Sequence, residues 1–317
     1  MSLPDSLPSI LIVSDQAPAY AEALSALVAE GVTITLAMDA TEAVAVGAEA
    51  PVVLGEPHHL AEALPGLSAV RWIQSTWAGV TPLLPVLGPD IQLTGVKGVF
   101  GQQMAEYCLG HMLAFELGIL ERAAAQADRH WDESATGNLA GKRLGVMGTG
   151  SIGAAVARAA AGLGLRVTGY NRSGKPVTPF EAVSGADQLG DFLAGLDYLV
   201  TVLPDTPDTR NLLDAGALAR LPPHAVLINV GRGTVVEDAA LVAALQDGQL
   251  KGAVLDVFRE EPLPRDHAFW DTPGLRITGH VAAHSYPADI AALFIDNYRR
   301  YVAGEPLAHR VDPARGY

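Results

Sequence analysis

Leu144-Gly145-Val146-Met147-Gly148-Thr149-Gly150-Ser151-Ile152-Gly153-Ala154 decides the fold of this 317-residue chain. An apolar run suited to a buried strand leads into three spaced glycines, and residues 154–161 beyond them read as a helix. Each glycine answers a separate need. Gly148 permits a tight turn, Gly150 lets the backbone approach a pyrophosphate, and Gly153 lets helix and strand pack closely. The amides opening the helix, at Ser151 and Ile152, then face the anion. The order strand, glycines, helix predicts a dinucleotide-binding unit.

The rest of the chain keeps the same rhythm. Downstream, apolar runs at 144–147, 167–170, 198–202, 225–229, 253–256 and 276–278 predict the strands of a doubly wound parallel sheet. Upstream, strands are predicted at 9–13, 32–36, 51–54, 70–75 and 91–96, with an amphipathic helix over 19–30. Residues 102–123 read as one long helix, and a last helix over 287–302 is expected to return to the first domain. The fold expected is α/β with two Rossmann-like domains, doubly wound parallel sheets and an active-site cleft between the domains. The substrate-binding, flavodoxin-like domain is assigned to 1–98, completed by 287–317, and the dinucleotide domain to 99–286.

Composition narrows the function. The chain carries 21 Lys and Arg against 35 Asp and Glu, a net charge of −14, and no basic cluster interleaved with aromatics. That argues against nucleic acid as a partner. No apolar run approaches the roughly 20 residues that span a bilayer, and residues 1–8 lack the features of a signal peptide. Cys108, the single cysteine, has no intramolecular disulfide partner. A cytoplasmic protein without a membrane partner is expected. In so acidic a chain, a site for anions needs its own local cations.

Such cations follow the strand at 167–170, in Tyr170-Asn171-Arg172-Ser173-Gly174-Lys175. A site for NAD carries a carboxylate roughly 20 residues past the glycines to bind the ribose hydroxyls. Asn171 stands there instead, and Arg172, Ser173 and Lys175 can hold a phosphate. The reading is NADP(H) as the preferred cofactor, with NAD(H) possible.

Three later segments place polar residues at strand ends: Asn229-Val230-Gly231-Arg232-Gly233, Asp256-Val257-Phe258-Arg259-Glu260-Glu261-Pro262 and Thr278-Gly279-His280-Val281-Ala282-Ala283-His284. Hydride delivery to a ketone leaves charge on oxygen, so the site wants a proton donor active near neutral pH, usually histidine. A neighbouring carboxylate keeps such a histidine protonated and oriented. An arginine grips a substrate carboxylate with two parallel hydrogen bonds. Arg232, Glu261 and His280 can fill these roles, although by chemistry alone Glu260 competes with Glu261 and His284 with His280.

With these motifs in order behind the glycines, the chain resembles the D-2-hydroxyacid dehydrogenase family over most of its length. The resemblance implies Arg232 as substrate clamp, Glu261 as partner of the histidine and His280 as acid/base. It implies that Leu203, Pro204 and Thr209, in Thr201-Val202-Leu203-Pro204-Asp205-Thr206-Pro207-Asp208-Thr209-Arg210, run beside the nicotinamide ribose. Val230, Gly231, Arg232, His280 and Ala282 join this cofactor set, and Asp256 holds the carboxamide. Thr76-Trp77-Ala78-Gly79-Val80 looks like the loop whose amides bind the substrate carboxylate, with Tyr286 also assigned to substrate. Gly101-Gln102-Gln103-Met104-Ala105-Glu106-Tyr107 is most similar to the glyoxylate/hydroxypyruvate reductase branch, and the family implies a homodimer built on the cofactor domain. Two departures stand out. Gly279 replaces the proline usual before the histidine, and Tyr286 stands where several hydroxypyruvate reductases have arginine. Together with Trp77, this points to tolerance of larger or less polar 2-keto acids.

The activity expected is reduction of a small 2-keto acid to the D-2-hydroxy acid. A dinucleotide-sensing, corepressor-like binding protein and a phosphite- or formate-type dehydrogenase remain the alternatives. Cys108 with His111, and His280 with His284, have ligand-like spacing, but no metal is expected, since a thiol in an apolar helix is ordinary. His58 and His59 read as surface residues at a helix start, and Trp72 and Trp131 as core or interface aromatics.

Overall fold

The computed structural model describes residues 7–313. By contact clustering the chain divides into two compact units, one running to Val99 and resuming at Ser285, the other spanning Phe100–His284.

The first unit holds a five-stranded sheet of β1 (Ile10–Val13), β2 (Ile34–Ala37), β3 (Val52–Gly55), β4 (Trp72–Ser75) and β5 (Gln92–Thr94), ordered β2-β1-β3-β4-β5 and parallel throughout. This is the flavodoxin-like order, whose direction switches between β1 and β3. Every residue of β1 and β3 is buried, as expected of parallel strands covered on both faces. The helices are α1 (Ala17–Ala23), α2 (Ser25–Ala29), α3 (Ala40–Val46) and α4 (Pro57–Ala63). The helix expected over 19–30 is thus split at Leu24, which is wholly buried with ψ near 11°.

The second unit opens with α5 (Gly101–Glu116) and α6 (Ile119–Ala127), where a single helix was expected. Gly118 breaks it with φ +59°, a left-handed conformation that glycine adopts freely and that commonly ends a helix. The sheet follows: β6 (Arg143–Met147), β7 (Arg166–Tyr170), β8 (Val183–Ser184), β9 (Tyr198–Thr201), β10 (Val226–Asn229), β11 (Gly252–Leu255) and β12 (Leu275–Ile277). Its order is β12-β11-β10-β9-β6-β7-β8, all parallel. The doubly wound arrangement read from the sequence is borne out, with one strand added: β8 is a two-residue edge without an apolar run. The helices between strands are α7 (Ser151–Gly162), α8 (Leu189–Leu193), α9 (Ala215–Leu218) and α10 (Asp238–Gln246).

The last helix, α11 (Pro287–Ala303), belongs to the first unit, where Phe294 stacks on the buried Trp72 at 5.1 Å and Asn297 donates to Gln74 Oε1. No helix among the described residues is long and apolar enough to cross a membrane.

Candidate active site

In the second unit the order of the sheet switches between β6 and β9, and the glycine turn lies at the end of β6. Gly148 has φ +102°, and a Cβ there would press on Val202; a Cβ on Gly153 would lie 1.9 Å from the Gly148 carbonyl oxygen. Glycine is required at both positions by close approach. Gly150 differs, since a side chain there would meet nothing within 4 Å. It precedes α7 with no side-chain cap, and the amides of Ser151, Ile152 and Gly153 have no acceptor among the described residues. Open space before free amides and a positive helix end suits a pyrophosphate.

Beyond β7, Asn171 builds the next turn. Its Oδ1 accepts from the Ser173 amide (3.0 Å), Ser173 Oγ (3.1 Å) and the Gly174 amide (2.8 Å), while Nδ2 donates to Thr149 Oγ1 (2.9 Å). The Lys175 amide donates to Ser173 Oγ. Asn171 is therefore spent on linking the glycine turn to the basic turn, a use the sequence did not disclose. A carboxylate in its place could not donate to Thr149. The side chains of Arg172 and Lys175 are exposed and make no ion pair among the described residues.

At the end of β10, the buried Asn229 accepts from the Gly231 amide (3.1 Å) and donates to the Arg232 carbonyl (2.9 Å). Gly231 passes so close to Leu203, and Gly233 to Phe258, that a Cβ would lie 2.8 Å and 2.1 Å from their backbones. These contacts explain the motif residue by residue and fix the turn carrying Arg232. Its Nη1 donates to the Gly231 carbonyl (2.6 Å). Burial lowers the pKa of this guanidinium while Glu261 and Asp205 act to raise it, and an arginine remains protonated regardless. Val230, Leu203 and Ala282 are buried nearby in the chain's turns, and Thr209 Oγ1 donates to the Pro204 carbonyl (2.6 Å), closing the 203–210 loop. Asp205 adds a second brace, accepting from Arg210 and Thr234.

The histidine is held most tightly. Asp256 is buried at the end of β11, and its carboxylate accepts from Thr278 Oγ1 (2.6 Å), the Val281 amide (2.9 Å) and the Ala282 amide (2.9 Å). The His280 amide donates to the Asp256 carbonyl (2.8 Å), and Tyr107 of α5 shares a 2.5 Å hydrogen bond with Thr278. Between these ties His280 takes φ +56°, a left-handed conformation uncommon outside glycine. Its Nδ1 lies 2.7 Å from Glu261 Oε2, and Glu261 Oε1 accepts from the Phe258 amide (2.8 Å). Burial raises the Glu261 carboxyl, but the bonds from His280 and Phe258 outweigh it and hold the group below the usual carboxylate range. His280 is thus paired with Glu261. His284 instead bonds Gln103 through its backbone, and Glu260 is exposed. Gly279 stands in open space.

Cys108 is wholly buried in α5, where burial first and the Asp256 charge second push its thiol up to about 12. It stays protonated and inert.

In the first unit, the Trp77 amide donates to Ser75 Oγ (3.0 Å), which donates to the Trp77 carbonyl (2.8 Å). The amides of Ala78, Gly79 and Val80 have no acceptor among the described residues. Ser285 Oγ donates to the Thr76 carbonyl (2.6 Å), so Tyr286, the N-cap of α11, is anchored beside this loop. His58 and His59 depart from the expected surface positions: both are half-buried, His58 stacked on Trp77 at 5.0 Å and His59 bonded to Asp15. With Glu56 they form a group whose ligand-type atoms lie within 4.8 Å of one another.

The family model for the NAD-binding domain of D-isomer specific 2-hydroxyacid dehydrogenases matches residues 109–282. Glyoxylate/hydroxypyruvate reductase A of Photorhabdus laumondii is 36% identical over 217 residues, 68% of this chain and 69% of that protein. A D-isomer specific 2-hydroxyacid dehydrogenase family protein from Aeromonas salmonicida superposes with a TM-score of 0.93 at 36% identity, over 97% of this chain and 100% of the other. A D-isomer specific 2-hydroxyacid dehydrogenase from Xanthobacter autotrophicus Py2, in complex with NADPH and MES, superposes at 0.85 with 33% identity, over 98% and 100%.

Asp256→Ala leaves one hydroxyl and two amides unpaired and should lower unfolding stability by about 2–5 kcal/mol, with faster hydrogen exchange at Val281 and Ala282. Thr278→Val should cost less, about 1–2 kcal/mol. Unchanged exchange at both amides in the Asp256 variant would contradict the role assigned to this carboxylate.

Proposed function

Since the chain belongs to the D-isomer specific 2-hydroxyacid dehydrogenase family, we propose that it reduces a small 2-keto acid to the D-2-hydroxy acid at the expense of NADPH. The observation that carries this reading is the His280–Glu261 pair at 2.7 Å, in the same unit as a free-amide glycine turn and Arg232. Bound NADPH supplies a hydride to the carbonyl carbon. His280 supplies the proton to the carbonyl oxygen, so that C=O becomes CH–OH. Glu261, kept ionised by its own hydrogen bonds, orients the ring through Nδ1, which leaves Nε2 to face substrate. Arg232 is assigned to the substrate carboxylate and carbonyl. The free amides of Ala78 and Gly79, in the first unit, are themselves suited to a carboxylate. A glutamate beside the histidine disfavours a formate-type dehydrogenase, whose histidine is paired with glutamine. A corepressor-like role is not favoured by the relatives named above.

For the cofactor, the glycine turn takes the pyrophosphate, and Arg172 with Ser173 and Lys175 takes the 2′-phosphate. The lack of a carboxylate at position 171 and the unpaired cations beside it favour NADPH, as does the NADPH in the Xanthobacter relative. Asp256 has one acceptor site left for the carboxamide, because three of roughly four are used. NADH is accepted less well.

The active form is proposed to be a homodimer built on the second unit. Helix α6 buries none of its residues, and Leu117, Ile119, Leu120 and Trp131, the last 83% exposed, lie along the same stretch. Contiguous apolar exposure of this kind marks an interface, here with a second copy.

Arg172→Ala should raise the Michaelis constant for NADPH at least tenfold and that for NADH less than twofold, in steady-state kinetics. Equal effects would remove Arg172 from the phosphate. Glu261→Gln should lower kcat by about 10²-fold, because the ring loses the carboxylate that orients it through Nδ1. An unchanged kcat would show that Glu261 does not act on the proton donor. Light scattering should return twice the 33.1 kDa chain mass and Leu120→Glu about one chain; a wild-type monomer would rule out the dimer.

A further inference from the structure

The first unit holds a second feature beside the free amides of Ala78 and Gly79. The sheet order of this unit switches direction between β1 and β3, and open α/β sheets bind ligands at the carboxyl ends of strands around such a point. The residues found there are Asp15 after β1, Glu56 after β3 and Trp77 after β4. Trp77 is a large aromatic left 40% exposed. Its backbone is held by Ser75 Oγ, which bonds its amide and its carbonyl, and the His58 ring lies against the indole at 5.0 Å with an interplanar angle of 29°. His58 in turn lies in the first turn of α4 after Pro57, with Glu56 Oε2 3.8 Å from its Nδ1, and Glu56 Oε1 accepts from Ser14 (2.6 Å). Tyr286, 53% exposed, is anchored beside the loop through Ser285.

An exposed indole, backed by a stacked ring and adjacent in the chain to unpartnered amides, is a prepared platform. Ordering cost has already been met in the free protein, so a flat group laid on it gains the stacking with little loss. Resting on the reading of Ala78 and Gly79 as a carboxylate site, we infer that Trp77, positioned by His58, selects 2-keto acids with a flat, apolar side chain, the arylpyruvates above all. The acceptor chemistry around the platform narrows the class further. Asp15 and Glu56 flank the two histidines, and these carboxylates disfavour a substrate bearing a second carboxylate. The selected substrate is therefore monocarboxylic. Glyoxylate, which has no side chain, gains nothing from the indole.

The test compares kcat/KM for phenylpyruvate, glyoxylate and 2-ketoglutarate at saturating NADPH, in the full chain and in Trp77→Ala, His58→Ala and His58→Phe, with thermal melting to check folding. The wild-type chain should favour phenylpyruvate over glyoxylate by at least tenfold and use 2-ketoglutarate least. Trp77→Ala should lower the phenylpyruvate-to-glyoxylate ratio about tenfold or more. His58→Ala should lower it about threefold, and His58→Phe, which restores a stacking ring, should recover most of that loss. A ratio unmoved by Trp77→Ala, a parallel loss on both acids, or a wild-type preference for glyoxylate would overturn the inference while leaving the reductase reading in place. Turnover of none of the three acids would remove both.

Discussion

One buried carboxylate governs the geometry of the second unit's site. Asp256 ends β11 and receives the Thr278 hydroxyl and the amides of Val281 and Ala282, while its own carbonyl receives the His280 amide. A buried carboxylate is costly to leave unpaired, so the 278–282 segment has little freedom to move away from it. The segment must then carry His280 at a positive φ. Strain of that kind persists where surrounding bonds over-determine the backbone, and here they aim the imidazole at Glu261.

Close backbone approach is the second constraint. Two turns around the end of the second sheet, one carrying Gly148 and the other Gly231 and Gly233, leave no room for a Cβ at these glycines. The glycines let the β6, β9, β10 and β11 ends crowd together, which brings Arg232, the free amides at the start of α7 and the histidine loop to the carboxyl ends of these strands. Against the chain's net −14, Arg172 and Lys175 make no ion pair among the described residues, while Arg210 and Arg259 are committed to Asp205 and Asp238.

Much of this was legible in the sequence because apolar runs and spaced glycines obey short-range rules. The strands of both sheets apart from β8, and the roles of Gly148 and Gly153, follow from period and sterics alone. What escaped depends on contacts between distant positions. Nothing local marks Asn171 as a bridge to Thr149, Tyr107 as a partner of Thr278, or His58 as a brace for Trp77, since each pair is joined only by folding. Gly118 is different: it stood in plain view inside an apolar run, and the helical pattern on both sides masked a break that its φ freedom makes cheap. The two-residue β8 carries too little sequence to be read at all.

The central claim is that a hydride passes from reduced nicotinamide to the carbonyl carbon of a 2-keto acid with His280 giving the proton. It is tested most directly by supplying NADPH deuterated at the transferable C4 position with phenylpyruvate and analysing the product by mass spectrometry. The account predicts a 2-hydroxy acid carrying one deuterium at C2, formed in equal amount to NADP⁺. Oxidation of NADPH without labelled hydroxy acid, or no oxidation with any 2-keto acid in protein that binds NADPH, would contradict it.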